Sequence, residues 1–221
     1  MNNYNPSIST TSAVSINKVL RNTYMLLSIT LLFSAITAMV SMVLQVSHMV
    51  SLICSFGALG LIWLVLPRTA HSAAGIGVVF AITGLLGFGL GPILNHYLAL
   101  SNGPQHIATS LGGTGVIFMA LSGYVLTTKR DFSFMGGFLM VGLIIAVLAM
   151  VANIFLQIPA LSLALSAAII LIMSGFILFD TSRIINGGES NYVNATVSLY
   201  LSLYNIFVSL LHLLGVFGGD E

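Results

Sequence analysis

The stretch ALSLALSAAIILIMSGFILFDTSRI (160–184) decides how this chain folds. From Ala160 to Phe179 no residue is charged, and at ~1.5 Å rise per residue a helix of that length spans ~30 Å, the thickness of a bilayer's hydrocarbon core. Asp180 then ends the run, followed by Thr181, Ser182 and Arg183. A polar hairpin, Ile184 to Ala195, leads into a last apolar run, Thr196–Val216. Asp180 is the one carboxylate in or at the edge of any apolar run. An acid at that depth is costly, so it invites a functional reading before a structural one.

The rest of the chain has the same character. Hydrophobic residues fill 57% of 221 positions and charged residues 5%, with mean hydropathy +1.07. A soluble domain carries roughly a quarter charged residues, so no aqueous surface can be built here and the partner of this surface is lipid. The net charge of +1, without any Lys/Arg cluster, excludes a nucleic-acid-binding arm. Cys54 is alone, which excludes an intrachain disulfide and a thiolate metal cage; it is expected to pack inside a helix.

Five further runs precede the last two: Tyr24–Leu44, Met49–Leu66, Ala74–Asn95, Ile107–Thr127 and Ser133–Leu156. Each is near the length of one transmembrane helix. Because a backbone in lipid must satisfy its own hydrogen bonds and no alternating strand pattern is present, the fold class is an all-α bundle of seven transmembrane helices. Met1 to Asn17, rich in Ser, Thr and Asn, reads as a disordered polar tail, with residues 18–221 forming the transmembrane domain. Lys18 and Arg21 before an apolar run resemble a signal peptide. About 20 apolar residues exceed the usual h-region, so an uncleaved first helix is expected.

Orientation follows from charge. Lys18 and Arg21 precede the first run, Arg68 lies between the second and third, Lys129 and Arg130 between the fourth and fifth, and Arg183 between the sixth and seventh. The opposite connections, 45–48, 96–106 and 157–159, hold no Lys or Arg. By the positive-inside rule the N-terminus is cytoplasmic, and Asp220 and Glu221 lie outside.

Glycines crowd the third run (Gly84, Gly87, Gly89, Gly91), the fourth (Gly112, Gly113, Gly115, Gly123) and the fifth (Gly136, Gly137, Gly142). Small residues let helices approach in lipid, and these are expected to serve packing within the molecule more than a homodimer face. Pro92 is expected to kink or end the third helix. No phosphate-binding glycine motif is present.

On the seventh run Ser198, Ser202, Asn205, Ser209 and His212 fall within a sector of ~80°. Such a stripe faces the bundle interior, as a water-accessible path or as a row of helix–helix hydrogen bonds. Across the hairpin Asp180 lies level with Ser198 to Ser202, at one end of a seam made by Phe176, Met173, Ile169, Ser166 and Ser162. It is either an acid at the mouth of a closed gate or the partner of Arg183 one turn on. Arg68, from across the same face, is a further gate candidate. His48, His71, His96, His106 and His212 show no ligand pair, and no hydrolase motif links His212 to Asp180, which sit at opposite depths. No catalytic residue and no resident cofactor is expected.

The segments KVLRNTYMLLSITLLFSAITA (18–38), TGLLGFGLGPILN (83–95), MVANIFLQIPAL (150–161) and FDTSRIINGGESNYVNATVSLYLSLYNIFVSLL (179–211) resemble the Bax inhibitor-1, or transmembrane Bax inhibitor motif, family and more closely its bacterial YccA-like branch. The resemblance covers about Lys18 to Leu214. It implies a seven-helix bundle with the last helix near the centre, in a bacterial inner membrane. It also implies two functional schemes. Some members are pH-sensitive calcium leaks governed by two aspartates. The first corresponds to Asp180, which is thereby the calcium candidate, while the second falls on Ser202, with Asn205 retained. One carboxylate cannot give the coupled titration of two, and it offers calcium fewer oxygens. YccA-like members resemble modulators of the membrane-anchored ATP-dependent protease FtsH, engaged through a cytoplasmic N-terminal tail. The expected function is therefore FtsH modulation, with a calcium leak as the alternative.

The segregation of basic residues generates a topology prediction. In a Cys54→Ser background, single cysteines at Ser101 and Asp220 should label from outside intact cells, whereas one at Thr10 should not. Labelling of Thr10 and Asp220 on the same side would exclude seven spans.

Overall fold

A computed structural model describes residues 6–218, of which 6–14 as backbone only. Among the described residues there is no strand, and seven helices are long and apolar enough to cross a membrane. They are α1 (Pro6–Val43), α2 (His48–Thr69), α3 (Ala74–Leu98), α4 (Gly103–Thr128), α5 (Gly136–Leu156, after a 3₁₀ turn at Ser133–Met135), α6 (Pro159–Ile185) and α7 (Tyr192–Phe217). The expected tail over 1–17 differs in part: α1 already starts at Pro6, and only residues 1–5 lie outside the described residues. Elongating a helix costs far less than nucleating one, so the long first span carries its polar lead with it. Asp220 and Glu221 also lie outside the described residues.

The helices end where the sequence supplies a stop. Gln45, Lys129 and Gln157 each take a left-handed φ just beyond α1, α4 and α5. In the last two the amide of that residue closes the helix on Val125 O and Asn153 O. Pro104 and Pro159 sit in the first turns of α4 and α6, where no amide donor is missed. Asn191 caps α7, its side chain accepting from the amides of Val193 and Asn194 while its Nδ2 donates to Ala70 O at 2.9 Å. That one residue ties the 6–7 connection to the 2–3 connection.

Proline acts differently in its two mid-helix settings. α3 runs through Pro92 to Leu98, so the helix does not end there. The proline loosens the carbonyls one turn before it, and Ser51 of α2 donates its hydroxyl to Gly89 O. In α2, Pro67 follows a π turn at Leu61–Val65, where the Leu66 amide reaches back to Leu61 O.

α7 is the central helix. No residue from Tyr192 to Gly215 is exposed, because α1, α3, α4 and α6 surround it. α2 packs mainly on α3 and α5 mainly on α6, leaving their outer faces, such as Phe56, Trp63, Phe138 and Phe155, to lipid. The α1–α3 contact is the most extensive and rests on glycine: Gly84 lies under Phe33, Gly87 against Ser34 O and Thr37, and Gly91 against Ser41. Gly87 and Gly91 thus face a helix of the same chain. Cys54 is buried on α2 against Gly89.

A side chain at Gly87 would have to displace backbone, whereas Gly112 faces open space. Gly87→Val should destabilise the bundle by about 1–3 kcal/mol through overpacking, read as a Tm lower by several degrees in detergent. Gly112→Ala should not lower Tm. Equal shifts for the two would show that the α1–α3 approach is not tight.

Candidate functional site

At 100° per residue, consecutive side chains of a helix point in different directions, and Asp180-Thr181-Ser182-Arg183 uses all four. All but Arg183 are buried. Asp180 faces α7, where the Ser198 hydroxyl donates to its Oδ2 at 2.5 Å. Thr181 faces α4, its hydroxyl 3.3 Å from that of Ser122. Ser182 faces the 4–5 connection: its hydroxyl accepts from the Phe132 amide at 2.8 Å and lies 3.4 Å from Asp131 Oδ1. Arg183 turns outward and pairs with Glu189 at 3.5 Å, donates to Gly188 O at 3.0 Å and lies over the Phe179 ring. One turn of α6 therefore ties together α7, α4 and two connections.

This corrects one expected alternative. Arg183 is not the ion-pair partner of Asp180, because Glu189, brought round by the short connection and its left-handed Gly187, takes the guanidinium. Arg68 does not reach Asp180 either; it donates to Leu64 O of its own helix. The expected level of Asp180 beside the start of α7 is found, at Ser198. Ser202 lies one turn farther along α7, 2% exposed.

Only the two ends of the stripe on α7 bond across to α6 among the described residues. Ser198 meets Asp180 near the basic end, and His212 Nδ1 lies 2.8 Å from the Ser166 hydroxyl near the other end. Between them Asn205 donates to Leu201 O of its own helix, and Ser209 is buried. Along the facing side of α6, Ile169 and Met173 are buried and fill the seam. Two polar contacts thus bracket an apolar middle. Asp180 and His212 belong to different contacts, at opposite ends of the α6–α7 seam.

Asp131 and Ser133 complete the basic end. The Ser133 hydroxyl and amide hold the Asp131 carboxyl below its usual range, favouring the charged form that Ser182 also meets. Among the described residues no group of three or more His, Cys, Asp and Glu side chains is gathered as for a metal ion. The side chain that meets the Asp180 carboxylate is a hydroxyl, not a second carboxylate.

Sequence reasoning passed over Tyr200, Ser122, Asn191 and Glu189. Tyr200 is the largest fully buried side chain; its hydroxyl lies 2.6 Å from that of Ser34 on α1 and donates to Thr83 O of α3 at 3.3 Å. A tyrosine hydroxyl in mid-membrane requires such a partner, which was a usable signal. Asn191, immediately before a helical run, was another.

A profile of the family described as "Inhibitor of apoptosis-promoting Bax1" matches residues 16–219. The chain is 57% identical to "Modulator of FtsH protease YccA" of Escherichia coli K12 over 210 residues, 95% of each chain. It matches "Inner membrane protein YccA" of Escherichia coli O6:H1 equally well. It is also 49% identical to an "Uncharacterized membrane protein" of Vibrio cholerae, covering 93% of this chain and 92% of that one. The family profile spans every helix described above, from the charged turn of α1 to the end of α7. The chain belongs to the Bax inhibitor-1 family and, within it, stands with the YccA proteins.

Proposed function

We propose that this chain is a bacterial inner-membrane protein that modulates an FtsH-type membrane protease by binding it, and that it is not itself an enzyme. The observation that carries this reading is 57% identity, over 95% of both chains, to a protein named as a modulator of that protease. At that identity a fold and its surfaces are retained together. The site geometry agrees with a non-catalytic role, because Asp180 and His212, the groups from which a hydrolase would be built, serve separate interhelical contacts.

The N-terminal segment is the handle. It lies at the basic end of the bundle, which the positive-inside rule places in the cytoplasm, where an ATP-driven protease works. Its residues up to Val14 precede the apolar span that begins at Ser15. A glycine-packed bundle behind that handle makes a slow substrate that occupies the protease.

A calcium leak is the second reading, favoured by a carboxylate only 7% exposed at one end of the α6–α7 seam. The ion would be cargo and not a resident cofactor. Ser202, where family members with that activity carry an acid, is the reason it stands second.

Removing residues 1–15 should leave an inserted bundle that persists longer in cells and no longer slows degradation of other FtsH substrates, followed by pulse-chase. A truncated chain that restrains the protease as well as the full chain does would remove the tail from the mechanism. In liposomes the parent should pass little calcium, and Ser202→Asp should add flux that varies with pH, because two close carboxylates titrate as a pair. Asp180→Asn in that variant should abolish it. Strong pH-dependent flux in the parent that survives Asp180→Asn would place the gate elsewhere.

A further inference from the structure

At the basic end a cleft of about 320 Å³ opens between α1, α4 and α6, apart from the Asp180 site. Its walls divide by chemistry. Asn17, Lys129 and Asn186 are exposed at the rim, while Ile16, Leu20, Leu126 and Ile185 are half-buried. The rim residues lie at or just past the ends of the apolar helical windows, where a bilayer's headgroups sit.

The charge at this rim is uncompensated. Arg183 is taken by Glu189, Arg130 donates to the Tyr124 hydroxyl at 3.2 Å, and Asp131 is engaged by Ser133 and Ser182. Among the described residues Lys129 has neither an ion pair nor a side-chain hydrogen bond. Its backbone closes α4 in the left-handed conformation, which fixes the root of the side chain at the edge of the cleft. Among the described residues the Asn186 amide donates only to Ser182, with one of its two hydrogens, and the Asn17 amide adds further donors. A lone ammonium flanked by amide donors above an apolar floor matches a phosphate ester carrying hydrocarbon chains.

We propose that this cleft binds one anionic phospholipid, its phosphate held by Lys129 with Asn17 and Asn186 and its first acyl methylenes on Leu20, Leu126 and Ile185. The lipid joins the charged turn of α1 to the ends of α4 and α6. Ile16, on the cleft wall, also reaches to 3.9 Å from where a side chain on Gly187 would begin, so the site borders the 6–7 connection as well.

The test is native mass spectrometry of the full chain, delipidated in mild detergent and titrated separately with dioctanoyl phosphatidylglycerol, dioctanoyl phosphatidylcholine and inorganic phosphate. One phosphatidylglycerol should bind at least about fivefold more tightly than phosphatidylcholine, with phosphate alone not competing. Lys129→Gln should weaken phosphatidylglycerol about tenfold, and Lys129→Arg should restore most of the affinity. Arg130→Gln removes the same charge one residue along and should cost less than about threefold. Equal losses for Lys129→Gln and Arg130→Gln would overturn the site in favour of diffuse attraction. Equal binding of the two lipids would reduce it to an acyl groove. Phosphate binding as tightly as phosphatidylglycerol would make it a site for a soluble anion. Absence of any bound lipid would leave the cleft to a protein partner and overturn the proposal outright.

Discussion

In hydrocarbon an amide, carbonyl or hydroxyl has no water to turn to, and leaving one unpaired costs several kcal/mol. The arrangement of this bundle follows from that constraint. Many serine and threonine hydroxyls fold back onto the carbonyl one turn before, as Thr30 does to Leu26 O and Thr114 to Ser110 O. Others are spent between helices, where they set which faces meet, while the buried hydroxyls of Thr23 and Ser41 find no partner among the described residues. Ser34 with Tyr200 fixes α1 to α7, Ser122 with Thr181 fixes α4 to α6, and Ser166 with His212 fixes α6 to α7. Asp180 is the extreme case, a carboxylate 7% exposed whose partner across the seam is one serine hydroxyl.

Packing completes what hydrogen bonding begins. Without a hydrophobic drive between helices in lipid, close approach must come from small residues, and α3 supplies them on two sides. Gly84, Gly87 and Gly91 admit α1, and Gly89 admits α2. The central place of α7 follows. With α1, α3, α4 and α6 all around it, the helix has no lipid face along most of its length, so its polar stripe and its apolar residues are equally enclosed.

How much of this could be read from the sequence depends on the range of the interaction. Span number, the grouping of basic residues and the level of Asp180 beside Ser198 are properties of helix length and period, and they were legible. The last six spans lie within about six residues of the apolar runs at either end, whereas the first begins at Ser15, well ahead of Tyr24, because a helix once started carries its polar lead. The partner of Arg183 was not legible, since it depends on how the short connection curls Glu189 back. The sequence left open whether Pro92 kinks or ends α3, and the serine of α2 that bonds the Gly89 carbonyl one turn before it could not be foreseen.

The attachment of α1 has a mechanical consequence. Its flank toward α3 is clasped over Gly84, Gly87 and Gly91, and toward α7 it is bonded through Ser34 to Tyr200 and through the Thr23 carbonyl to Thr196. A pull along the N-terminal segment therefore loads these contacts in shear, many at once, and the load passes straight into the one helix that every inner neighbour touches. A peripheral first helix would peel away and leave the rest intact. Here α1 cannot leave alone, because separating it breaks its contacts with α3 and α7 together.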